Sequence, residues 1–340
     1  MKKKTSLKDI AQKLGVSITL VSYVLNNKKT GRINKGVATK IKETAKELNY
    51  SPNRIAQSLK TNKTFTIGLI VSNISNPFSS NLARLIEDEA EKSNYTVLFG
   101  SSDENAEKSW KLINIFLNRQ VDGFIIAPAE NSEQQINYLI KNEIPFILID
   151  RYYTDIKTSY VALDNFKGSY MAVKHVAESG RKKIGMITFN TSLLHLQERK
   201  NGYVSALKEL HLPVKKSWLK EVSLYVKKEE IEKAIDQLLS KTDPVEAILF
   251  SSNTLASFGL KYIIDLNIRV PSDLAIICFD EVQGSEFFYA PLTYIKQPLQ
   301  EMGQLVTRLL LESIDNNNKI TQVNMEPELI VRKSTIAEGG

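Results

Sequence analysis

The apolar residues of segment 7–26 predict two short helices joined by a tight turn. The first helix has apolar side chains at helical spacing, at Leu7, Ile10, Ala11 and Leu14. Gly15 then interrupts the pattern, and Ser17 can cap a second helix. In the second helix, one side is formed by Val21, Val24 and Leu25. This order of elements is a helix-turn-helix, although the spacing alone also fits an ordinary helical hairpin.

The outward face of the second helix contains the side chains that would meet a DNA major groove. It carries Ile18, Thr19, Ser22 and Tyr23. Three residues near the helix ends complete this candidate DNA-binding set, namely Leu7, Ser17 and Asn26. In the loop that follows, Lys28, Lys29 and Arg32 are candidate contacts to the DNA backbone.

Residues 37–48 have the spacing of a third amphipathic helix, which would close a three-helix head over residues 1–50. Ser51 and Pro52 stop that helix. Residues 53–59 can form a helix of less than two turns, which is too short to be stable alone in water. Segment 51–64 would therefore contain a short helix that folds only when something pairs with it, and a plain interdomain linker is the alternative.

From residue 66 onward, apolar strands alternate with amphipathic helices, which is typical of parallel sheets covered on both faces. Strands are predicted at 66–72, 96–100, 123–128, 145–150, 183–189, 247–250 and 274–279. Helices are predicted at 78–92, 105–118, 133–142, 165–180, 228–240, 253–266 and 299–312, with one more that ends near 207. The elements form two series, divided after Asp164, so residues 65–340 are expected to form a two-lobed α/β domain.

Polar side chains that follow the predicted strands are the candidate ligand-binding residues. In open α/β sheets, ligands bind beyond the carboxyl ends of the strands. The candidates are Phe78, Asp103, Asp150, Arg199, Asn253, Asp280 and Gln297. Carboxylates, amides and a guanidinium can each hold adjacent hydroxyl groups or ring heteroatoms, and an aromatic ring offers an apolar face. Each of these residues alone could instead be a strand-end cap or an ion-pair partner.

The charge distribution favours nucleic acid as a partner of the N-terminal segment. Residues 1–63 contain 13 Lys and two Arg against three acidic residues, whereas the whole chain of 340 residues carries a net charge of only +7. A positive charge concentrated in one small unit is typical of phosphate binding, although a merely solvated head would also carry it.

Several classes of protein are disfavoured by the sequence. No apolar signal segment follows the first lysines, no run approaches the length of a membrane span, and the single cysteine, Cys278, lies in an apolar run. We therefore expect a cytoplasmic protein that is associated with the nucleoid and does not bind a membrane. The thiol of Cys278 is expected to be buried. No catalytic, cofactor-binding or metal-binding motif is found, so we expect no enzyme activity, no cofactor and no metal.

Three N-terminal segments, LKDIAQKLGVS, VSYVLN and ETAKELNYSPNRIAQSL, resemble the DNA-binding head of the LacI/GalR family of bacterial transcription regulators. Later segments such as IGLIVSNISNPF, ERKNGY and RVPSDLAIICFDE resemble the effector domain of that family, which is itself similar to periplasmic sugar-binding proteins. The resemblance implies a hinge helix that inserts Leu59 into the minor groove, beside Ala56. It also adds Asn53 and Arg54 to the candidate DNA contacts.

The same resemblance assigns ligand contacts to six residues, namely Phe78, Asp150, Arg199, Asn253, Asp280 and Gln297. The chain departs from the family at several positions. Tyr23 stands where the recognition helix usually has arginine, Thr254 replaces a common aspartate, and Cys278 replaces a common glycine. Because of these departures, we expect both the operator sequence and the ligand pocket to differ from those of better-known family members. His195 lies near Arg199, and we expect it in an exposed loop, with a ligand contact as the alternative.

The sequence thus predicts a homodimeric DNA-binding transcriptional regulator, acting as a repressor on a palindromic double-stranded operator. Its small-molecule effector is expected to be a sugar or sugar phosphate, and a purine or nucleoside is the alternative. The chain ends without leucine heptads, so a dimer is expected rather than a tetramer. The competing classes are a solute-binding protein without a regulatory role and a sugar-processing enzyme.

Overall fold

The computed structural model describes residues 5–26, 32–50, 63–225, 227–315 and 319–336. The chain divides into two compact units, Met1–Thr64 and Phe65–Gly340. Each unit has its own hydrophobic core, so each is described by itself.

The N-terminal unit contains three helices, α1 (Leu7–Leu14), α2 (Ile18–Leu25) and α3 (Lys35–Glu47). Ser6 and Asp9 form a reciprocal capping box at the start of α1, and Gly15 ends that helix in the left-handed conformation at φ +64°. Ser17 caps α2 by accepting a hydrogen bond from the backbone N–H of Leu20 at 3.2 Å. The helix-turn-helix prediction is therefore confirmed.

The core of this unit is small and is contributed by all three helices. Ile10 of α1, Val21 of α2 and Ile41 of α3 are fully buried and pack together. Helix α3 begins two residues earlier than predicted, because the side chain of Asn34 caps it by accepting from the backbone N–H of Gly36.

The C-terminal unit has twelve strands and eight helices among the described residues. The strands are β1 (Thr66–Val71), β2 (Thr96–Ser101), β3 (Gly123–Ile126), β4 (Phe146–Ile149), β5 (Tyr160–Leu163), β6 (Ile184–Phe189), β7 (Leu219–Val222), β8 (Ala247–Phe250), β9 (Ala275–Phe279), β10 (Thr293–Lys296), β11 (Gln322–Met325) and β12 (Glu328–Ile330). The helices are α4 (Pro77–Lys92), α5 (Ala106–Asn118), α6 (Glu133–Lys141), α7 (Asn165–Glu178), α8 (Leu194–Glu209), α9 (Lys228–Leu238), α10 (Asn253–Asp265) and α11 (Leu299–Ile314).

Two six-stranded sheets define two lobes. The first sheet has the order β11-β5-β4-β3-β1-β2 and is parallel throughout. The second has the order β12-β10-β9-β8-β6-β7, and only its edge strand β12 is antiparallel. Helices cover both faces of each sheet, so the central strands are buried on both sides. In β3, for example, Ile125 enters one core and Phe124 enters the core on the opposite face.

One predicted helix belongs to the other lobe. We expected residues 299–312 to complete the second series, but α11 packs on α4 in the first lobe. Its residues Met302, Val306 and Leu310 are fully buried beside Leu82 and Ile86. The sequence pattern misassigned α11 because it follows second-lobe strands along the chain, while its apolar face completes the first lobe.

The chain therefore crosses between the lobes three times, after β5, after β10 and after β11. Five strands were absent from the sequence prediction, namely β5, β7, β10, β11 and β12. Four of them have three or four residues with polar or exposed positions, so no continuous apolar run marks them. The prediction of a buried thiol at Cys278 is confirmed, since that side chain is fully buried in β9.

No helix among the described residues has both the length and the apolar composition that crossing a bilayer requires.

Helices α7 and α8 approach closely at Gly202, which generates a test of this packing. A Cβ atom at Gly202 would lie 2.1 Å from the backbone oxygen of Phe166. Gly202→Ala must push the two helices apart, and we expect it to lower the free energy of unfolding by about 1–3 kcal/mol or more. Urea unfolding followed by tryptophan fluorescence measures this unit, because Trp110 and Trp218 both lie in it. Lys208→Ala on the exposed side of α8 is the matched control. Equal midpoints for the two variants would contradict the proposed close packing.

Candidate functional site

The exposed surface of the N-terminal unit includes the predicted face of α2. Ile18 is 48% exposed, Thr19 is exposed, and Ser22 and Tyr23 are partly exposed. Asn26, just after α2, is exposed and donates through Nδ2 to the backbone oxygen of Ser22 at 2.7 Å. The N-terminus of α2, where base contacts are made in helix-turn-helix proteins, therefore presents an apolar and a hydroxyl side chain to solvent.

The remaining candidate DNA contacts have mixed positions. Leu7 is half-buried against the core of this unit, and Arg32 is exposed. Six candidates lie outside the described residues, namely Lys28, Lys29, Asn53, Arg54, Ala56 and Leu59. The predicted hinge segment 51–64 is described only at residues 63 and 64.

In the C-terminal unit, a cleft of about 510 Å³ lies between the two lobes. Loops after strands of both sheets and the first turns of α4, α8 and α10 line it. All seven side chains predicted to bind a ligand line this one cleft, namely Phe78, Asp103, Asp150, Arg199, Asn253, Asp280 and Gln297. The structure thus brings these seven side chains together in one concave surface.

Arg199 is buried and held rigidly by its own lobe. Its Nε donates to Oδ1 of Asn165 at 2.8 Å, and Nη1 donates to the backbone oxygen of Ser251 at 2.6 Å. The guanidinium carbon lies 3.8 Å from the centroid of the Phe279 ring. Burial lowers the pKa of Arg199, while the nearby carboxylates Asp280 and Asp150 oppose that shift. These contacts fix the plane of the guanidinium before any ligand arrives.

Two buried carboxylates from different lobes flank Arg199. Asp280 follows β9 and accepts a hydrogen bond from Nε2 of Gln297 at 2.8 Å. Burial raises the pKa of Asp280 to about 6, and Arg199 and Gln297 counteract this only in part. Burial also raises the pKa of Asp150, which follows β4. The side-chain oxygen Oε1 of Gln297 is buried without a hydrogen-bond partner, so a polar group of a ligand can satisfy it.

The second arginine of the cleft, Arg151, is paired with carboxylates of the first lobe, although its Nε has no hydrogen-bond partner among the described residues. Nη1 and Nη2 donate to the two carboxylate oxygens of Glu104 at 2.6 and 2.7 Å. Nε lies 3.4 Å from Oδ2 of Asp150. Although burial lowers the pKa of Arg151, the pair with Glu104 raises it overall. Arg151 therefore stabilises the wall of the cleft through its bidentate pair with the carboxylate of Glu104.

His195 is a residue whose position the sequence analysis misjudged. We expected an exposed loop, but His195 lies in the first turn of α8, lines the cleft and is only 8% exposed. Burial, with Arg151 and Arg199 nearby, keeps the pKa of His195 well below its ordinary value, so the imidazole is neutral. Its Nδ1 atom has no hydrogen-bond partner. The spacing of four residues from Arg199 was the sequence signal that places both side chains on one face of the helix.

Two hydrogen-bonded contacts join the lobes across the cleft. Asn253 at the start of α10 donates through Nδ2 to Oδ1 of Asn76, the residue that caps α4, at 3.1 Å. Glu130 after β3 accepts from the hydroxyl of Thr191 at 2.9 Å, and from both the N–H and the hydroxyl of Ser192 at 2.6 Å. Glu130 was not among the predicted site residues, because no spacing rule indicates which loops face each other between two lobes.

Asp103 occupies the solvent end of the cleft. Its carboxylate contacts Nζ of Lys108 and accepts from the hydroxyl of Ser101 at 2.6 Å. Lys108 holds the pKa of Asp103 below its ordinary value. Among the described residues, no group of three or more His, Cys, Asp or Glu side chains could hold a metal ion.

Comparisons with known proteins agree with this division into a helix-turn-helix unit and a two-lobed unit. Residues 6–53 match the model of the bacterial regulatory proteins of the lacI family, and residues 173–335 match a periplasmic binding protein-like domain. The lac repressor dimer, solved bound to operator and an anti-inducer, has the same fold, with a TM-score of 0.84 at 22% identity over 98% of this chain and 100% of that chain.

Two curated relatives extend over the whole chain. A probable HTH-type transcriptional regulator EndR of Paenibacillus polymyxa is 32% identical over 98% of both chains. An HTH-type transcriptional repressor PurR of Aliivibrio salmonicida is 30% identical over 97% of this chain and 98% of the relative. Both relatives are transcriptional regulators and not enzymes. The chain therefore belongs to the lacI family of bacterial regulatory proteins, as its N-terminal motifs predict.

Proposed function

We propose that this DNA-binding transcriptional regulator is a homodimeric repressor of a palindromic operator, and that a sugar or sugar phosphate bound between the lobes controls it. The proposal places the protein in the cytoplasm, at the nucleoid. The observation that carries the effector part is the convergence of a rigid guanidinium, two buried carboxylates and two amides in one cleft.

The chemistry of the cleft favours a ligand with several hydroxyl groups. Asp150 and Asp280 can accept from hydroxyls, whereas Arg199 can donate through the nitrogen that its protein contacts leave available. Buried polar atoms without partners, Nδ1 of His195 and Oε1 of Gln297, add two hydrogen-bonding positions. A monosaccharide offers both donors and acceptors around one ring, which matches this mixed set.

A purine or nucleoside is the second candidate effector. The aromatic rings of Phe78 and Phe189 line the same cleft, and a planar base could pack on either ring. Carboxylate and amide groups such as Asp280 and Gln297 can also pair with ring nitrogens.

For DNA recognition, we propose that α2 enters the major groove with Ile18, Thr19, Ser22 and Tyr23 toward the bases. Leu7, Ser17, Asn26 and Arg32, with Lys28 and Lys29, would contact the backbone. The hinge residues Asn53, Arg54, Ala56 and Leu59 would act at the centre of the operator. A coupling of about 1–3 kcal/mol between effector and operator binding is the usual scale for such switches.

A ligand panel tests the effector proposal. Thermal unfolding of the full chain with free sugars, sugar phosphates, nucleosides and purines should show a rise in midpoint for one chemical class, of about 5 °C at 100 times its dissociation constant. Arg199→Ala should abolish that rise, because the cleft loses its only guanidinium not paired with a carboxylate at hydrogen-bond distance among the described residues. Lys208→Ala, on the same helix but exposed, is the control. A rise that survives Arg199→Ala would place the ligand elsewhere.

The raised pKa of Asp280 generates a test that needs no ligand. Its pKa rises from 3.8 to about 6 on folding, so the folded state holds a proton that the unfolded state releases. The stability that this carboxyl contributes is present below about pH 4 and is lost as the pH rises through 6.

Asp280→Asn removes this loss, since the amide has no charge to bury. In urea unfolding, we expect the free energy of unfolding of the variant, relative to the wild type, to be higher at pH 7.5 than at pH 4.5 by about 1–3 kcal/mol. The variant should also lose effector binding. Asp103→Asn is the control, because hydrogen bonds with Lys108 and Ser101 lower the pKa of that exposed carboxyl instead of raising it. A wild type and an Asp280→Asn variant with parallel pH profiles would contradict the burial of a charged Asp280.

A third test concerns the DNA-reading face. Tyr23→Ala should broaden the consensus selected from random DNA at one or two base pairs per half-site, at a cost of about 1–3 kcal/mol for the preferred base. Arg32→Ala should instead weaken binding to all sequences and reduce the salt dependence by about one charge. If the consensus selected by Tyr23→Ala is the same as that of the wild type, Tyr23 does not contact the bases.

A further inference from the structure

The cleft contains two guanidinium groups, and each already donates hydrogen bonds to protein groups. Among the described residues that line it, Arg151 and Arg199 are the basic side chains, and His195 is neutral. Arg151 is paired bidentately with Glu104 at 2.6 and 2.7 Å. Nε and Nη1 of Arg199 donate hydrogen bonds to Asn165 and Ser251, so Nη2 is the one nitrogen of this guanidinium left for a ligand. A bound phosphate group would need free donors and positive charge, and here the carboxylates outnumber the guanidinium groups.

Helix N-termini are the other usual anion-binding groups, and side chains cap two of the three helices whose first turns line this cleft. The side chain of Asn76 caps α4, and that of Ser252 caps α10. Helix α8 has no side-chain cap from its own lobe. Instead Glu130 of the opposite lobe accepts three hydrogen bonds from Thr191 and Ser192, immediately before that helix.

Glu130, which lines the neighbouring cavity, thus places a carboxylate just before the start of α8, where the helix dipole favours an anion. Burial raises the pKa of Glu130, but the hydrogen bonds from Ser192 and Thr191 lower it overall, so its carboxylate is ionised. Glu104 thus neutralises the guanidinium of Arg151 inside the cleft, and Glu130 places a second carboxylate in the neighbouring cavity, just before the start of α8.

From this arrangement we infer that the effector is an uncharged polyhydroxylated molecule, a free sugar, and that its phosphate esters are excluded by charge. The inference rests on the proposed effector cleft and narrows it. A phosphate ester would meet the carboxyl groups of Asp150 and Asp280 in the cleft, whereas the hydroxyls of a free sugar can donate hydrogen bonds to the same two groups.

Matched pairs of probes test the inference on the full chain. D-Glucose, D-fructose and D-ribose are each compared with their 6- or 5-phosphate, by thermal unfolding and by calorimetric titration. We expect at least one free sugar to bind, with its ester weaker by about tenfold or more. An ester that binds more tightly than its parent sugar would overturn the inference and leave the effector cleft intact. A response to nucleosides or purines alone, or to no probe, would count against the proposed sugar effector itself.

Inorganic phosphate provides a test that does not depend on finding the sugar. Wild-type protein should show no saturable phosphate binding, measured at matched ionic strength. Glu104→Gln releases the guanidinium of Arg151, and we expect phosphate affinity to rise by about tenfold or more in this variant. Glu130→Gln frees the start of α8, and it serves as an independent second variant where Glu104→Gln fails to fold.

Glu107→Gln is the matched control, because it removes one negative charge beside the cleft without touching Arg151 or Thr191. Phosphate binding that appears equally in all three variants would reflect net charge alone and overturn the inference. Saturable phosphate binding by the wild type that Arg199→Ala abolishes would overturn it as well.

Discussion

The burial of a guanidinium between two lobes is the constraint on which the cleft depends. A buried charge loses the favourable hydration that it had in water. Without hydrogen-bond or charged partners nearby, this desolvation free energy is larger than the stabilisation that packing provides. Arg199 obtains these partners from an amide, a backbone oxygen and an aromatic ring of its own lobe. Asp150 is contributed by the other lobe, so the electrostatic balance of Arg199 involves both halves of the domain. A site with such shared compensation responds to any ligand that alters the separation of the lobes.

The N-terminal unit is organised by different physics. Its core is small, so capping contributes a large share of local order, as at Ser6, Ser17 and Asn34. A small unit of this kind gains further stability from whatever it binds, because binding to the folded form alone shifts the folding equilibrium. In the N-terminal unit, binding and folding stability are therefore linked. In the two-lobed unit, the hydrophobic cores provide the stability and the cleft provides the binding site.

Much of this architecture could be predicted from the sequence, for identifiable reasons. The helices α1 and α2 followed from apolar spacing with Gly15 and Ser17 as boundaries, and five of the seven cleft residues followed from their positions after predicted strands, the exceptions being Arg199 and Gln297. The short edge strands β11 and β12 did not, since hydrogen bonding to a neighbour defines them more than their composition does. His195 and Glu130 were missed because burial and partnership across a cleft are properties of the tertiary structure.

The return of α11 and β11 to the first lobe has a consequence for biosynthesis. The strands β3 and β4 are made early, yet the buried side chains of α11 that cover them are translated only after most of the second lobe. A ribosome that has reached residue 298 carries a first lobe in which α4 alone covers the face of the sheet that α11 will complete. The nascent chain thus exposes apolar surface to chaperones and proteases until its last tenth emerges, so premature termination yields fragments that quality control can recognise.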